Sequence, residues 1–231
     1  MLQMVVFDFD GVIADTEPVH FGLTREVLAD EGISLSWQQY CEKYLAFDDR
    51  ELFTQILVDN RRKAEKGKIA ALMERKRVNF AGFFAEKCVI FPGVVELLAA
   101  LRDEGIACSI CSGSFVSEIE LILQEGGLRD YFGIIVGADD VSASKPDPEG
   151  YRLIVSQANQ RLDIGAKIAP GQCVAIEDSI GGIKAAKGAG LKCLAVTNSY
   201  AAEELGIADR VVGELGEVNV DFLRELVEKE R

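Results

Sequence analysis

The sequence predicts a parallel α/β sheet interrupted by an inserted helical domain. Three observations carry that expectation. Short apolar runs alternate with helix-spaced segments, each run ends in small or polar residues, and one long stretch has helical spacing alone.

The first run, LQMVVFDF from Leu2, is short and β-branched and stops at the Gly11 turn, as suits a strand buried on both faces. IACSICS at 106–112, CVAIED at 173–178 and CLAVTN at 193–198 look alike, with FGIIVGA at 132–138 a weaker candidate. Helical spacing appears in VELLAALRDEG before the 106–112 run, in SEIELILQEGG after it and in GIKAAKGAG after the 173–178 run. Gly126 and Gly127, then Gly188 and Gly190, sit where those helices ought to stop. Residues 17–88 break the alternation, because VHFGLTREVLADEG and ELFTQILVDNRRKAEKGKIAALMERKRVNFAGFFAEK hold helical periodicity with no strand between them. The expected division is therefore an α/β core over 1–16 and 89–231 and a helical domain over 17–88. The chain leaves the core near Thr16 to Pro18 and returns near Cys88 to Pro92, two neighbouring crossings suited to act as a hinge pair. The basic run RRKAEKGK at 61–68 reads as a solvated helix face.

Composition narrows the function. A chain of 231 residues with 48% hydrophobic and 27% charged residues builds an ordinary core and is neither disordered nor fibrous. Lys and Arg number 25 against 38 Asp and Glu, a formal charge of -13, so nucleic acid and acidic membrane are poor partners. An anionic substrate then needs a cation or a local cluster of donors to hold it. MLQMVVFDFD has no basic region before its apolar stretch, so it reads as neither signal peptide nor anchor. No apolar run approaches the roughly 18 residues of a membrane span. The expected setting is cytoplasmic, as a monomer or weak homo-oligomer. Cys41, Cys88, Cys108, Cys111, Cys173 and Cys193 read as reduced thiols in apolar segments. The CxxC of Cys108 and Cys111 has no second pair and no nearby His to make a zinc site.

The chemistry lies at the ends of the runs. Asp8 and Asp10 close the first in FDFDGVIAD; alternation would send them to opposite sides unless the chain turns, which Gly11 permits. Acids at the carboxyl end of a parallel strand stand where open α/β sheets bind ligands, although solvated end-of-strand acids look the same. Ser112, Gly113 and Ser114 place a hydroxyl and backbone N–H groups before a helix, a phosphate-accepting arrangement unless Ser114 or Ser117 is simply its N-cap. Lys145 is held in SASKPDPEGY between Ser144 and Pro146, with Pro148 beyond, and stands either as a phosphoryl counter-charge or as a surface lysine. Glu177 and Asp178 offer hard oxygen ligands that suit Mg²⁺, while Asp178 or Ser179 can also cap the next helix. Carboxylates, hydroxyl and ammonium at four such ends fit phosphoryl transfer.

In the order DFDGV, CSGS, SKP and IEDS, the sequence resembles the haloacid dehalogenase superfamily over essentially its whole length. The likeness is to the beta-phosphoglucomutase and phosphoglycolate phosphatase-like subgroup, with a helical cap after the first motif. The resemblance implies a Rossmann-like parallel-sheet core with an α-helical cap. It implies that Asp8 is the nucleophile forming an aspartyl phosphate, and that Asp10 protonates the leaving alcohol and then deprotonates water. Ser112 and the Gly113 N–H would grip the phosphoryl oxygens, and Lys145 would balance charge. Asp8, the Asp10 backbone carbonyl and Asp178 would ligate Mg²⁺, with Glu177 ligating directly or through water. Those cations are needed, since two unit anions about 4 Å apart repel by about 4 kcal/mol at an effective dielectric near 20.

In the dehalogenase and phosphonate-cleaving branches the position of Asp10 is not aspartate, so its presence implies phosphate esters. The mutase branch places His20, and Arg50 in AFDDRELF, against the substrate; both also suit ordinary helix-surface roles. That branch carries a Lys-Asn pair where this chain has Phe115 and Val116, leaving a second sugar phosphate fewer partners. The leading expectation is a Mg²⁺-dependent phosphatase acting on a small phosphorylated metabolite, a sugar phosphate or phosphoglycolate-like acid. A beta-phosphoglucomutase-like phosphomutase comes second. A non-catalytic phospholigand-binding module comes third, and Asp10 speaks against it because binding needs no acid beside a nucleophile.

Overall fold

The computed structural model describes residues 1–45, 47–84, 89–161 and 167–228, with the backbone alone over 80–84. The chain forms two compact units, Met1–Asp15 with Val89–Arg231, and Thr16–Cys88.

The first unit is built on a six-stranded sheet. β1 (Met4–Phe7) lies inside it, between β4 (Ala107–Cys111) and β6 (Cys173–Glu177). β5 (Phe132–Val136) lies outside β4, and β7 (Lys192–Val196) and β8 (Arg210–Val212) continue beyond β6. Every neighbouring pair is parallel, with Met4 opposite Ala107 on one side and Cys173 on the other. Every residue of β1 and β6 is buried, which explains why their sequences are continuous apolar runs rather than alternating ones. Met4, Val6, Ala175 and Cys193 share a core with Tyr151, Ile154 and Ile183, contributed by α7 (Glu149–Arg161) and α8 (Ile180–Gly188). Phe7 meets Phe132 edge-on at 5.9 Å. α5 (Val94–Asp103), α6 (Val116–Glu125) and α9 (Val220–Glu228) complete the unit. α6 gives way to Gly126 and α8 ends at Gly188, as the glycines imply.

β2 (Ala14–Asp15) and β3 (Val89–Ile90) form a two-residue antiparallel ladder where the chain leaves this unit and re-enters it.

The second unit holds α1 (Glu17–Ala29), α2 (Trp37–Lys43), α3 (Asp49–Asp59) and α4 (Lys66–Phe84). Leu28, Tyr40, Phe53, Ile56, Leu57 and Leu72 lie in its own apolar core. Pro18 opens α1, Ser36 and Gln39 form a capping box on α2, and the Asp48 side chain caps α3. The RRKAEKGK run is only in part the expected helix face: residues 61–65 make the turn from α3 to α4, where Arg61 takes φ 56°, and Lys66 to Lys68 open α4. It is solvated as expected, with Arg61, Arg62 and Lys63 exposed.

Among the described residues no helix is long and apolar enough to cross a membrane. Cys41, Cys108, Cys111, Cys173 and Cys193 are free thiols, all but Cys41 buried, and burial pushes Cys108, Cys111 and Cys173 up to about 12. Cys88 lies outside the described residues.

Candidate active site

The site is assembled at the carboxyl ends of β1, β4 and β6. Asp8 directly follows β1, and its N–H donates to the Ile176 carbonyl at 2.9 Å, carrying the ladder one residue past the strand. Its Oδ1 accepts the Phe9 N–H at 2.8 Å and lies 2.9 Å from Lys145 Nζ. The same ammonium lies 2.6 Å from Glu177 Oε1, which also accepts the Tyr151 hydroxyl at 2.5 Å. Glu177 is fully buried, and its Oε2 accepts the Ser179 hydroxyl at 3.2 Å. A Cβ at Gly182 would lie 1.8 Å from Oε2, so the first turn of α8 must be glycine there to admit the carboxylate. Ser179 also caps α8 by accepting the Gly182 N–H, the capping expected beside a ligand role.

The two leading aspartates on either side of the turn after β1 have different partners. Gly11 has φ +79°, a left-handed conformation that costs glycine little. A Cβ at Gly11 would strike Asp178 Oδ2 at 1.8 Å. Asp8 faces Lys145, whereas Asp10 Oδ2 accepts the hydroxyls of Ser112 at 3.0 Å and Ser114 at 2.7 Å, just beyond β4. The Ser114 N–H turns back onto Ser112 Oγ at 2.9 Å.

The alternative reading of these serines, as helix caps, does not hold. Neither Ser114 nor Ser117 caps α6; its N-cap is Phe115, and the Val116 N–H donates to Asp139 Oδ1 at 3.0 Å, from the loop after β5. A carboxylate therefore already serves this helix end, and the Ser112 hydroxyl, turned to Asp10, stands beside the turn at Gly113. Space around Gly113 is open, and a Cβ there would meet nothing within 4 Å.

Electrostatics mark the cluster as short of positive charge. Asp8, Glu177 and Asp178 are all buried and each offers a ligand oxygen, the three atoms lying within 4.8 Å of one another. Burial first, and repulsion from Glu177 next, hold Asp8 well above the usual carboxylate range. The same two causes push Asp178 up to about 7, against the Ser199 hydroxyl that donates to its Oδ2. Burial pulls the Lys145 ammonium down, but Asp8 and Glu177 together more than offset that and keep it charged. One lysine facing three close acids leaves a deficit that a hard divalent cation would fill, and an all-oxygen donor set suits Mg²⁺.

His20 on α1 is half-buried and Arg50 on α3 is exposed; both stand in the helical unit. Tyr151, Gly182, Asn198 and Ser199 join the site without having been singled out. Asn198 and Ser199 follow an apolar run, the same position that draws attention to the other motifs.

Residues 5–196 match the family model described as haloacid dehalogenase-like hydrolase. The chain is 30% identical over 193 residues to the phosphorylated carbohydrates phosphatase of Thermotoga maritima, covering 83% of each protein. It is 29% identical over 234 residues to the beta-phosphoglucomutase of Bacillus subtilis, covering 100% of this chain and 97% of that one. Its fold matches a mutant CbbY from Rhodobacter sphaeroides solved in complex with xylulose-(1,5)-bisphosphate, with a TM-score of 0.84 at 27% identity over 96% of this chain and 99% of that chain.

Proposed function

This chain belongs to the haloacid dehalogenase-like hydrolase family, and we propose that it is a Mg²⁺-dependent phosphatase that hydrolyses a small phosphorylated metabolite, a sugar phosphate or a similar acid. The observation that carries this reading is the buried contact of Lys145 with both Asp8 and Glu177, beside Asp178 and a separately held Asp10.

In the first step an Asp8 carboxylate oxygen attacks phosphorus, and the bond from phosphorus to the ester oxygen breaks as Asp10 gives that oxygen a proton. In the second, water attacks the aspartyl phosphate, Asp10 takes the water proton, and the bond from Asp8 to phosphorus breaks to release phosphate. Ser112 and the Gly113 N–H hold the phosphoryl oxygens, and Lys145 offsets their charge. Asp10 accepts a hydrogen bond from Ser112, so acid and phosphoryl group share one neighbour. Asp8, Asp178 and the Asp10 carbonyl are the residues that would hold Mg²⁺. The bonds that Glu177 already makes with Lys145, Tyr151 and Ser179 support its acting through water. The metal supplies positive charge that lets a phosphate ester approach a carboxylate.

His20 and Arg50 are assigned to substrate selection. Alanine at either is expected to raise KM for the preferred metabolite about tenfold, the size of one lost charge-assisted contact, with less change on p-nitrophenyl phosphate. Free buried thiols support a cytoplasmic setting, with the protein a monomer or weak homo-oligomer.

The deciding experiment incubates the protein and Mg²⁺ with a panel of phosphorylated metabolites and follows both released phosphate and isomerised sugar, with Asp8→Asn as the control. Phosphate release that vanishes in Asp8→Asn and in EDTA is expected. Isomerisation without release would instead assign a phosphomutase, the reading that the mutase relative favours, and silence across the panel would assign a binding module.

A further inference from the structure

We propose that Asn198 and Ser199, in the segment after β7, are positioning residues for the metal site: Ser199 aims the Asp178 carboxylate and Asn198 holds the turn that carries Asp10. This rests on the Mg²⁺ reading above and assigns work to a segment outside the four motifs.

Three observations meet at one point. The Ser199 hydroxyl donates to Asp178 Oδ2. Asn198 Nδ2 donates to the Gly11 carbonyl at 2.7 Å. A Cβ on Gly11 would lie 1.8 Å from Asp178 Oδ2 and 3.1 Å from Ser199 Oγ, so these three residues are packed against one another without room for a methyl group. Asp178 is only 4% exposed, and a buried carboxylate with both oxygens at liberty has two orientations to choose from. A donor on Oδ2 restrains the carboxylate and would leave Oδ1 for the cation. On the other side of the contact, the Asp10 carbonyl belongs to the peptide unit that ends at Gly11 N. Tying the Gly11 carbonyl fixes the next unit and limits how the first can rotate. The turn is also closed by Gly11 N–H to Ala14 O at 3.0 Å, so Asn198 adds a second restraint. Two proposed ligands, from β1 and β6, are thereby set by adjacent residues of a third segment. Outer partners of this kind typically change metal affinity about 10–100-fold when removed.

The test uses the whole protein and the metal alone. Mn²⁺, which accepts the same oxygen donors, is titrated and followed by EPR, with Mg²⁺ as competitor. Ser199→Ala is expected to weaken Mn²⁺ binding about 10–100-fold and to raise the Mg²⁺ concentration for half-maximal activity by the same factor. Excess metal should then recover kcat, with substrate KM little changed. Ser199→Thr, which keeps the hydroxyl, is expected within about threefold of the parent, and Asn198→Ala to show a smaller loss than Ser199→Ala. Unchanged Mn²⁺ affinity in Ser199→Ala would overturn the proposal, as would a loss of kcat that excess metal does not restore. Should Ser199→Ala misfold, the Asn198→Ala titration decides in its place, and unchanged affinity there overturns the proposal. Ser199-dependent Mn²⁺ binding in a protein that releases no phosphate would support the positioning role while rejecting the phosphatase. A parent protein that hydrolyses phosphate esters in EDTA and binds no Mn²⁺ would reject both the metal reading and this inference.

Discussion

The two units of the molecule handle charge in opposite ways. Residues 17–88 carry twelve acidic and twelve basic residues, so the whole formal charge of -13 belongs to the α/β unit. In the helical unit most ion pairs are solvated: Arg75 with Asp30, Arg77 with Glu74, Lys68 with Glu31. Lys76, paired with Asp49, is the buried exception among the described residues. In the α/β unit Asp8, Glu177 and Asp178 are buried at the strand ends, and Lys145 pairs with the first two. Exposed pairs gain little because water already solvates them, whereas buried carboxylates persist only where partners or a ligand compensate them. The unit that tolerates the expense is the one with chemistry to do.

The largest test of that contrast is Lys145→Met. Removing the cation that pairs with both Asp8 and Glu177 should lower kcat on p-nitrophenyl phosphate by about a thousandfold or more and destabilise the protein by about 3–5 kcal/mol in denaturant unfolding. A variant with a tenth of the parent activity would mean that the core charges are as dispensable as surface ones.

A smaller effect is expected from pH. Asp178 titrates near 7 when folded, above its unfolded value of 3.8, so the metal-free folded state holds a proton that the unfolded state has lost. Its contribution to stability is then fully present below about 4 and is lost as pH rises toward about 7. Thermal unfolding of the metal-free protein across that window should show stability falling with pH, and Asp178→Asn should flatten the fall. A wild-type curve that rises with pH as steeply as that of the variant would contradict the burial of charge at this position.

The smallest effect belongs to the other unit. Arg75→Ala, which breaks an exposed pair, should change stability by no more than about 0.5 kcal/mol and leave phosphate release unchanged. A larger loss would show that the helical surface is less forgiving than its exposure implies.

What the sequence made legible follows the same division. β1 and β6 are buried on both faces, so they stand out as unbroken apolar runs, and the acids that end them are conspicuous for that reason. β8 is a three-residue edge strand, half-exposed, too short for any period to register. α7 begins after the Pro146 and Pro148 turn and has mostly polar composition, which hid it although Tyr151 and Ile154 anchor it in the core. α6 looks locally as if a serine should cap it; Asp139 arrives instead from another loop, and no local pattern encodes a partner 23 residues away. Tyr151 is hidden for the same reason, since its hydroxyl reaches a carboxylate 26 residues away, whereas Ser199 stands at the end of an apolar run, where its place alone could have marked it. Motif residues that meet the reacting group are spaced by the chain's own turns, whereas the residues that support them are specified only by packing.

The strand order has a consequence for how the protein is made. β1 leaves the ribosome before both of its partners, β4 on one edge and β6 on the other, so the second of them appears only when Cys173–Glu177 has been synthesised. At roughly 5–20 residues per second that delay is about 10–30 s, during which an apolar segment waits with an open hydrogen-bonding edge. A nascent chain arrested before that point is therefore a target for chaperones or for self-association, not a slower enzyme.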